Sequence, residues 1–518
     1  MMDPVNARSI QDPLSAVALE GETAVLGGSA PGVCPEEPDG QDKVPLAVDL
    51  DGTLIATDSL LESAMGLMKQ QPWVVLFFAV WLLRGKAVLK SEIARRFRLN
   101  AEQLPYRPEI IAFLQTERVA GRTIVLATAA HQSIADAVST HLGLFNEVLA
   151  SNESINLKGF RKRDELVRKF GVRGFDYIGD SRGDVLVWSA SRIAHVVAGP
   201  LGGVPQRALT AGAKPGRVFA GPRPSVHTWL KALRIHQWVK NVLIFIPTLA
   251  AHHIDVHVAK TLGITFLAFS FIASAAYVVN DLFDLAADRR HPQKRRRPFA
   301  SGQLTITQGV VLAFFLMVAG FGLGAAVSLA LVVCLFAYQV LTFTYSSFLK
   351  NKPILDVMVL ALIYTLRVFA GGIVSGEFVS AWLFQFSIFL FLSLAFVKRY
   401  SELQRLKRER THRTPGRGYR LVDLHIISQA GVGSGLLAGL VLALYVNGLE
   451  VQKLYPHPHM LWGVSPMFVY WITRVWLIAH RGNMPEDPIL YAFHDKVSYI
   501  VGFLILCSLI LGMAPYAG

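Results

Sequence analysis

At 518 residues the chain has room for two or three domains; 52% of it is hydrophobic and only 17% charged, with a formal charge of +14 and a mean hydropathy of +0.40. That balance excludes an ordinary soluble globular protein, and because the apolar excess lies almost wholly after residue 237, a soluble front and a membrane-embedded back are expected. The basic residues gather in loops between apolar segments, which fits membrane topology and anionic substrates better than nucleic acid, and Cys34, Cys334 and Cys507 form no C-x-x-C pair, so neither a disulfide framework nor a zinc site is supported.

In chain order, residues 1–43 are rich in Pro, Gly, Asp and Glu without periodicity and read as a disordered tail. The tail is acidic and has no basic-then-apolar signal pattern, so the front half is expected in the cytoplasm. From Val44 the run VPLAVDLDGT is a buried strand ending in acids and a glycine, and GRTIVLATAA (121–130) and GFDYIGDSRGD (174–184) repeat that design. Helical stretches separate them, which predicts an open parallel α/β sheet, a Rossmann-like domain over 44–212, with its ligand outside the carboxyl ends of the strands. Residues 73–83 (WVVLFFAVWLL) are too short an apolar run to span a bilayer, and read as a buried or membrane-lying helix in a small insert after the first strand. Residues 199–230 are rich in Gly and Pro; a linker is placed at 213–236, and an all-helical membrane domain from 237 to 518.

The back half parses into nine apolar segments, near 238–254, 258–280, 308–326, 327–346, 354–374, 379–397, 426–447, 459–479 and 497–514. Lys231, Arg234 and Lys240 precede or open the first; Arg289, Arg290 and Lys294–Arg297 follow the second; Lys350 and Lys352 follow the fourth; nine basic residues from Lys398 to Arg420 follow the sixth. The alternate loops are nearly bare. The positive-inside rule then puts the amino terminus and the basic loops in the cytoplasm and the carboxyl terminus outside, in an inner, cytoplasmic membrane. Gly431, Gly435 and Gly439 form a small-x-x-x-small helix-packing face. His252 and His253 fall on the opposite side, as interfacial residues.

Two constellations carry chemistry. In the front domain, Asp49 and Asp51 sit two apart at a strand end and point the same way: one can attack phosphorus while the other protonates the leaving oxygen and later activates water. Thr128 at the next strand end can hydrogen-bond the transferring phosphoryl group, and Lys162, with Lys158 as its rival, can neutralise the charge. Asp180 and Asp184 would complete a Mg²⁺ site with Asp49, Asp51 being a further candidate ligand. In the back half, Asn280, Asp281, Asp284 and Asp288 fall within about a 100° arc of a helix. Carboxylates so clustered repel unless a cation lies between them, and the adjoining Lys294, Arg295 and Arg297 point to Mg²⁺ carrying a phosphorylated substrate.

The D-x-D-G-T, Thr, Lys and GD-x-x-x-D elements, in that order, resemble the haloacid-dehalogenase-like superfamily over residues 44–212. That resemblance implies Mg²⁺-dependent phosphatase chemistry through an aspartyl-phosphate. Asn280, Asp281, Asp284 and Asp288 match the N-D-x-x-D-x-x-x-D signature of the UbiA-type membrane prenyltransferases, a likeness covering about residues 230–515. It implies nine spans and a Mg²⁺-bound pyrophosphate leaving group. Most members carry a second Asp-rich motif after the sixth span, where this chain has KRYSELQRLKRER with Lys398, Arg399 and Glu402. With DRRHPQKRRRPFASG, YSSFLKNKPILDV and LRVFAGG, the pattern is similar to the branch that moves phosphoribose from phosphoribosyl pyrophosphate onto a polyprenyl phosphate, and Lys350, Asp356 and Arg367 are further candidates for that pocket. Aromatic prenyl transfer from a prenyl pyrophosphate, and anion or lipid transport with a regulatory head, are the competing expectations.

Overall fold

The computed structural model describes residues 44–199, 212–221, 223–252, 255–377, 379–408, 418–485 and 487–513. The tail 1–43 with Cys34, His253, and the basic residues 409–417 lie outside the described residues. In the front half, six short strands rich in β-branched and small apolar residues form one sheet: β1 (Leu46–Val48), β2 (Ile124–His131), β3 (Glu147–Ser151), β4 (Asp176–Gly179), β5 (Ile193–Val197) and β6 (Lys214–Phe219). The order is β3-β2-β1-β4-β5-β6, with every neighbouring pair parallel. Side chains alternate across such a sheet. Leu46, Val48, Ile124, Leu126 and Ile178 enter one core, and Ala47, Val125, Ala127 and Tyr177 the other. Both faces are therefore covered, as a parallel sheet requires.

The sheet runs past the expected boundary at residue 212. Pro215 and Gly216 read as linker, but β6 is an edge strand, where a missing amide is tolerated. Helix Val226–Leu233, capped by Ser225, occupies the rest of the expected linker.

Between β1 and β2 lies a helical cap of α1 (Ser59–Gln70), α2 (Val75–Leu83) and α3 (Lys86–Arg96). The apolar run from residue 73 forms α2, but only Trp81 of that helix is buried, with the Arg96 guanidinium 4.7 Å from its ring. Leu76, Phe77, Val80, Leu82 and Leu83 are exposed, so the buried alternative fails.

In the back half, eight helices among the described residues are long and apolar enough to cross a membrane: Val256–Phe283, Ile306–Val327, Leu329–Ser347, Leu355–Ser375, Ala381–Arg408, Leu421–Val446, Pro458–His480 and Lys496–Met513. We refer to these as the first to eighth spans. The first of the nine expected segments, near 238–254, is not among these eight. Its described residues form a 3₁₀ stretch, Ile235–Phe245, that runs directly into the short helix Ile246–Ala251. Pro247 offers no amide to continue the first stretch. Buried Lys240 and Asn241 bind Asp487 and Ser270, and the Ile244 carbonyl lies so close to Gly371 of the fourth span that a Cβ there would come within 1.9 Å of it. The Gly431–Gly435–Gly439 face packs as expected: a Cβ at these positions would lie 2.1 Å from Trp476, 2.8 Å from Ile472 and 2.7 Å from Val469.

The two halves pack together within one compact unit. Leu61 and Met65 of α1 join a core made of Val278, Leu282, Phe299 and Leu304, and Gly302, at φ +72°, sits where a Cβ would be 2.7 Å from that of Ala56.

Candidate active sites

In the front domain, β1 delivers Asp49 and β4 delivers Asp180 to the same edge of the sheet. Carboxylate oxygens of Asp49, Asp180 and Asp184 lie within 4.8 Å of one another. Lys162, buried at the start of helix Phe160–Phe170, reaches Asp49 at 2.9 Å and Asp184 at 3.6 Å; Lys158 lines the same cavity. The Lys162 ammonium also donates to the Tyr177 hydroxyl (2.9 Å), which donates in turn to Asp184 (2.7 Å). Asp51 is not part of the triad; its carboxylate accepts the Ser59 amide at 2.8 Å. Thr128 is fully buried, its hydroxyl accepting the Ala130 amide (3.0 Å), while Ala129, Ala130 and His131 line the cavity in front of it.

Burial and crowding disturb these acids. Burial raises Asp180 to about 8, helped by Asp184 and Asp49. Burial also raises Asp49 to about 6 against the pull of Lys162, and Asp51 to about 7 with the help of Asp58. Three hard oxygen donors held together at such a cost suit a small divalent cation, whose charge would offset the repulsion. Asp51, near neutrality and beside the triad, has the proton affinity of an acid–base group.

The front cavity, about 510 Å³, is walled partly by residues without a motif: Lys90 on α3, Arg107, and Thr305–Thr307 from the back half. Lys90 donates to the Ala129 carbonyl (2.5 Å) and Asn156 (2.8 Å); Arg107 donates to the Gly52 carbonyl (3.1 Å). Only the tertiary fold brings these side chains to the site.

The second cavity, about 800 Å³, is lined by Asn280, Asp284, Asp288, Lys294, Arg297, Lys350, Arg367, Lys398 and Glu402, all expected from the sequence. Its wall also holds Arg234, Lys240, Tyr338, Tyr364 and Asp487, which no motif announces; in total eight Lys and Arg face four Asp and Glu. Arg367 is fixed by Asn241 (2.8 Å), the Ile363 carbonyl (2.8 Å) and the Tyr338 hydroxyl (3.0 Å), its guanidinium within 4.9 Å and 5.4 Å of the Tyr338 and Tyr364 rings.

Three expected substrate-binding residues do not reach this wall. Asp281 is buried behind it, paired with Arg234 (2.5 Å) and Arg297 (3.0 Å). Arg399 is buried against Asp356 (2.5 Å), Glu402 (2.8 Å) and the Tyr345 hydroxyl (2.7 Å), so Arg399 and Asp356 brace the wall. Arg295 is exposed on a short 3₁₀ turn. The acids of this half do not converge as the front triad does. Arg297 reaches Asp288 at 2.6 Å, and Lys69 and Lys350 bind Asp284. Burial would raise Asp284, but the Lys69 hydrogen bond and the Lys350 charge hold it below its usual range; burial raises Asp288 despite Arg297. Of the acidic signature, Asn280, Asp284 and Asp288 are left facing the cavity as hard oxygen donors, and the cations beside them suit a metal-bound polyphosphate.

Comparison with known proteins agrees with this division. Residues 242–497 match the UbiA prenyltransferase family and residues 46–187 the haloacid dehalogenase-like hydrolases. An uncharacterized protein, y4nM, of Sinorhizobium fredii is 37% identical over 475 residues, 91% of each chain. The decaprenyl-phosphate phosphoribosyltransferase of Corynebacterium glutamicum is 37% identical over 195 residues, 37% of this chain and 58% of its own. A solved UbiA homologue from Archaeoglobus fulgidus bound to GPP and Mg²⁺ covers 55% of this chain and 99% of its own, at 16% identity and a TM-score of 0.42. The chain belongs to the UbiA prenyltransferase family and carries a haloacid dehalogenase-like domain ahead of its membrane helices.

Proposed function

We propose that the membrane half transfers 5-phosphoribose from phosphoribosyl pyrophosphate to a polyprenyl phosphate, and that the front domain then removes the 5-phosphate. The observation that carries this reading is the charge of the second cavity, where Lys and Arg outnumber acids two to one (eight against four). A prenyl pyrophosphate brings one anionic end. Phosphoribosyl pyrophosphate with a lipid phosphate brings three anionic groups, and each needs counter-charge. A lipid-phosphate oxygen forms the new bond to ribose C1 as the C1–O bond to pyrophosphate breaks. A Mg²⁺ held by Asn280, Asp284 and Asp288 would stabilise the departing pyrophosphate. Lys350, Lys398 and Arg367, which line the cavity, would bind the phosphates, and the similarity to a decaprenyl-phosphate phosphoribosyltransferase supports the substrate class.

In the front site, Asp49 attacks the 5-phosphate phosphorus while Asp51 gives its proton to the ribose oxygen. Asp51 then takes a proton from the water that cleaves the aspartyl-phosphate. Asp180 and Asp184 with Asp49 would hold the second Mg²⁺, and Lys162 keeps Asp49 ionised. Both sites would face the cytoplasm, on the basic side of the membrane. The test is purified protein given labelled phosphoribosyl lipid: wild type should release phosphate and Asp49→Asn should not. Equal silence from both would end the coupled reading.

A further inference from the structure

Helix α1 belongs to the phosphatase cap, yet its two ends lie at different sites. At its start, the Ser59 amide donates to the Asp51 carboxylate at 2.8 Å, and Asp58 caps the helix. One turn on, Glu62 grips Arg289 of the basic loop with both oxygens, at 2.5 Å and 3.0 Å. In its last turn, Lys69 donates to Asp284, inside the acidic signature of the membrane half. Twelve helical residues span about 17 Å, so one rigid rod links the two constellations.

The register of that rod is fixed. Glu62 and Lys69 are seven residues apart and so share a face to within about 20°. Leu61, just before Glu62, and Met65, between Glu62 and Lys69, pack into the core formed with Val278 and Leu282 of the first span. Arg289 is further held by the carbonyls of Gln103 (3.1 Å) and Ala300 (3.0 Å). A lone half-exposed lysine on a carboxylate would be worth little. Here the apolar docking and the buried Glu62–Arg289 pair fix the helix that presents it. Lys69 also lines a narrow cleft, about 40 Å³, with Asn280, Asp284 and Lys350, three residues that line the large cavity as well.

We propose that Lys69 is a positioning residue of the transferase: with Lys350 it orients the Asp284 carboxylate for the pyrophosphate donor, so the transferase site is complete only with the phosphatase cap docked. The fused domain is then a structural part of the membrane enzyme as well as a second catalyst. The proposal rests on the reading of Asp284 as a donor-site ligand, and its test separates the two. Radiolabelled lipid product is followed in full-length protein carrying Lys69→Ala or Lys69→Arg, with hydrolysis of a soluble phosphate ester as the control. Binding of inorganic pyrophosphate with Mg²⁺ is measured by calorimetry, taking the component that Asp288→Ala removes.

For Lys69→Ala we expect donor KM and pyrophosphate Kd to rise about five- to tenfold, with kcat and ester hydrolysis within about twofold of wild type. Lys69→Arg should restore most of the affinity. Donor KM and pyrophosphate Kd unchanged in Lys69→Ala would overturn the proposal, as would a parallel fall in both activities, which marks a folding role alone. A wild type without transferase product would instead overturn the donor-site reading itself.

Discussion

Replacing Lys162 by Met should cost the front domain most of its activity at neutral pH and progressively less, relative to wild type, as pH rises. Its ammonium is buried, 2.9 Å from Asp49 and 3.6 Å from Asp184. At an effective dielectric constant of about 20, a charge pair at the shorter distance is worth about 6 kcal/mol, or about four pKa units. Asp49 already stands at about 6 through burial, with Lys162 opposing the rise. Without the lysine it would move toward about 10, and the ionised fraction at pH 7 would fall from about nine in ten to about one in a thousand. A bound cation would share part of that load, so we expect hydrolysis of a soluble phosphate ester to fall between about a hundredfold and a thousandfold at pH 7. The variant's deficit relative to wild type should shrink by up to about tenfold per pH unit between roughly 7 and 9, because ionisation of Asp49 limits only the variant, while loss of the Asp51 proton affects both enzymes alike. Lipid-product formation by the membrane half is the folding control. A Lys162→Met enzyme within tenfold of wild type at pH 7, or one whose loss is the same at every pH, would refute the argument.

Other consequences concern metal binding and the junction. Asp49, Asp51 and Asp180 have folded pKa values raised from 3.8 to about 6, 7 and 8, so the folded front domain keeps protons that the unfolded chain gives up. Metal-free stability should therefore decline as pH rises from about 4 to about 8, while Mg²⁺ affinity climbs over the same window and levels off above it; calorimetric titrations and melting curves at several pH values read both. Glu62→Ala leaves Arg289, 9% exposed, with carbonyls but no counter-ion, which should cost about 3 kcal/mol and open the cap junction to protease; a loss under about 1 kcal/mol would show the pair to be peripheral. Gly302→Val adds a Cβ against Ala56 at a φ of +72°, so it should lower the melting temperature of full-length protein while leaving the residues of both cavities in place.

What could be read in the chain depended on whether a residue's neighbours were local. Asp49, Asp180 and Asp184 were legible because each ends or follows an apolar strand, and parallel strands must gather their carboxyl ends. The 3.6-residue period also brought Asn280 and Asp284 to one wall. It misplaced Asp281, which lies at the margin of that arc and turns to Arg234, 47 residues earlier in the chain. Arg399 failed similarly: Lys398 and Glu402, four apart, face the cavity, while Arg399, a further 100° around the helix, meets Asp356 43 residues away. Hydropathy marked residues 238–254 as one apolar segment but not its make-up, a 3₁₀ stretch and a short helix with Lys240 and Asn241 buried against Asp487 and Ser270. Lys69, Lys90 and Thr305 carry no motif at all: α3 brings Lys90 to the front cavity within its own domain, while packing of the cap against the membrane half brings Thr305 to that cavity and Lys69 to the cleft beside the second.

The central claim is that the second cavity joins a sugar pyrophosphate to a lipid phosphate. Purified full-length protein incubated with radiolabelled phosphoribosyl pyrophosphate, polyprenyl phosphate and Mg²⁺ should form a labelled lipid and release pyrophosphate in equal amount. Asp288→Ala should abolish both products and leave soluble-ester hydrolysis intact. A preparation that hydrolyses the ester through its front domain yet forms no labelled lipid would contradict the account.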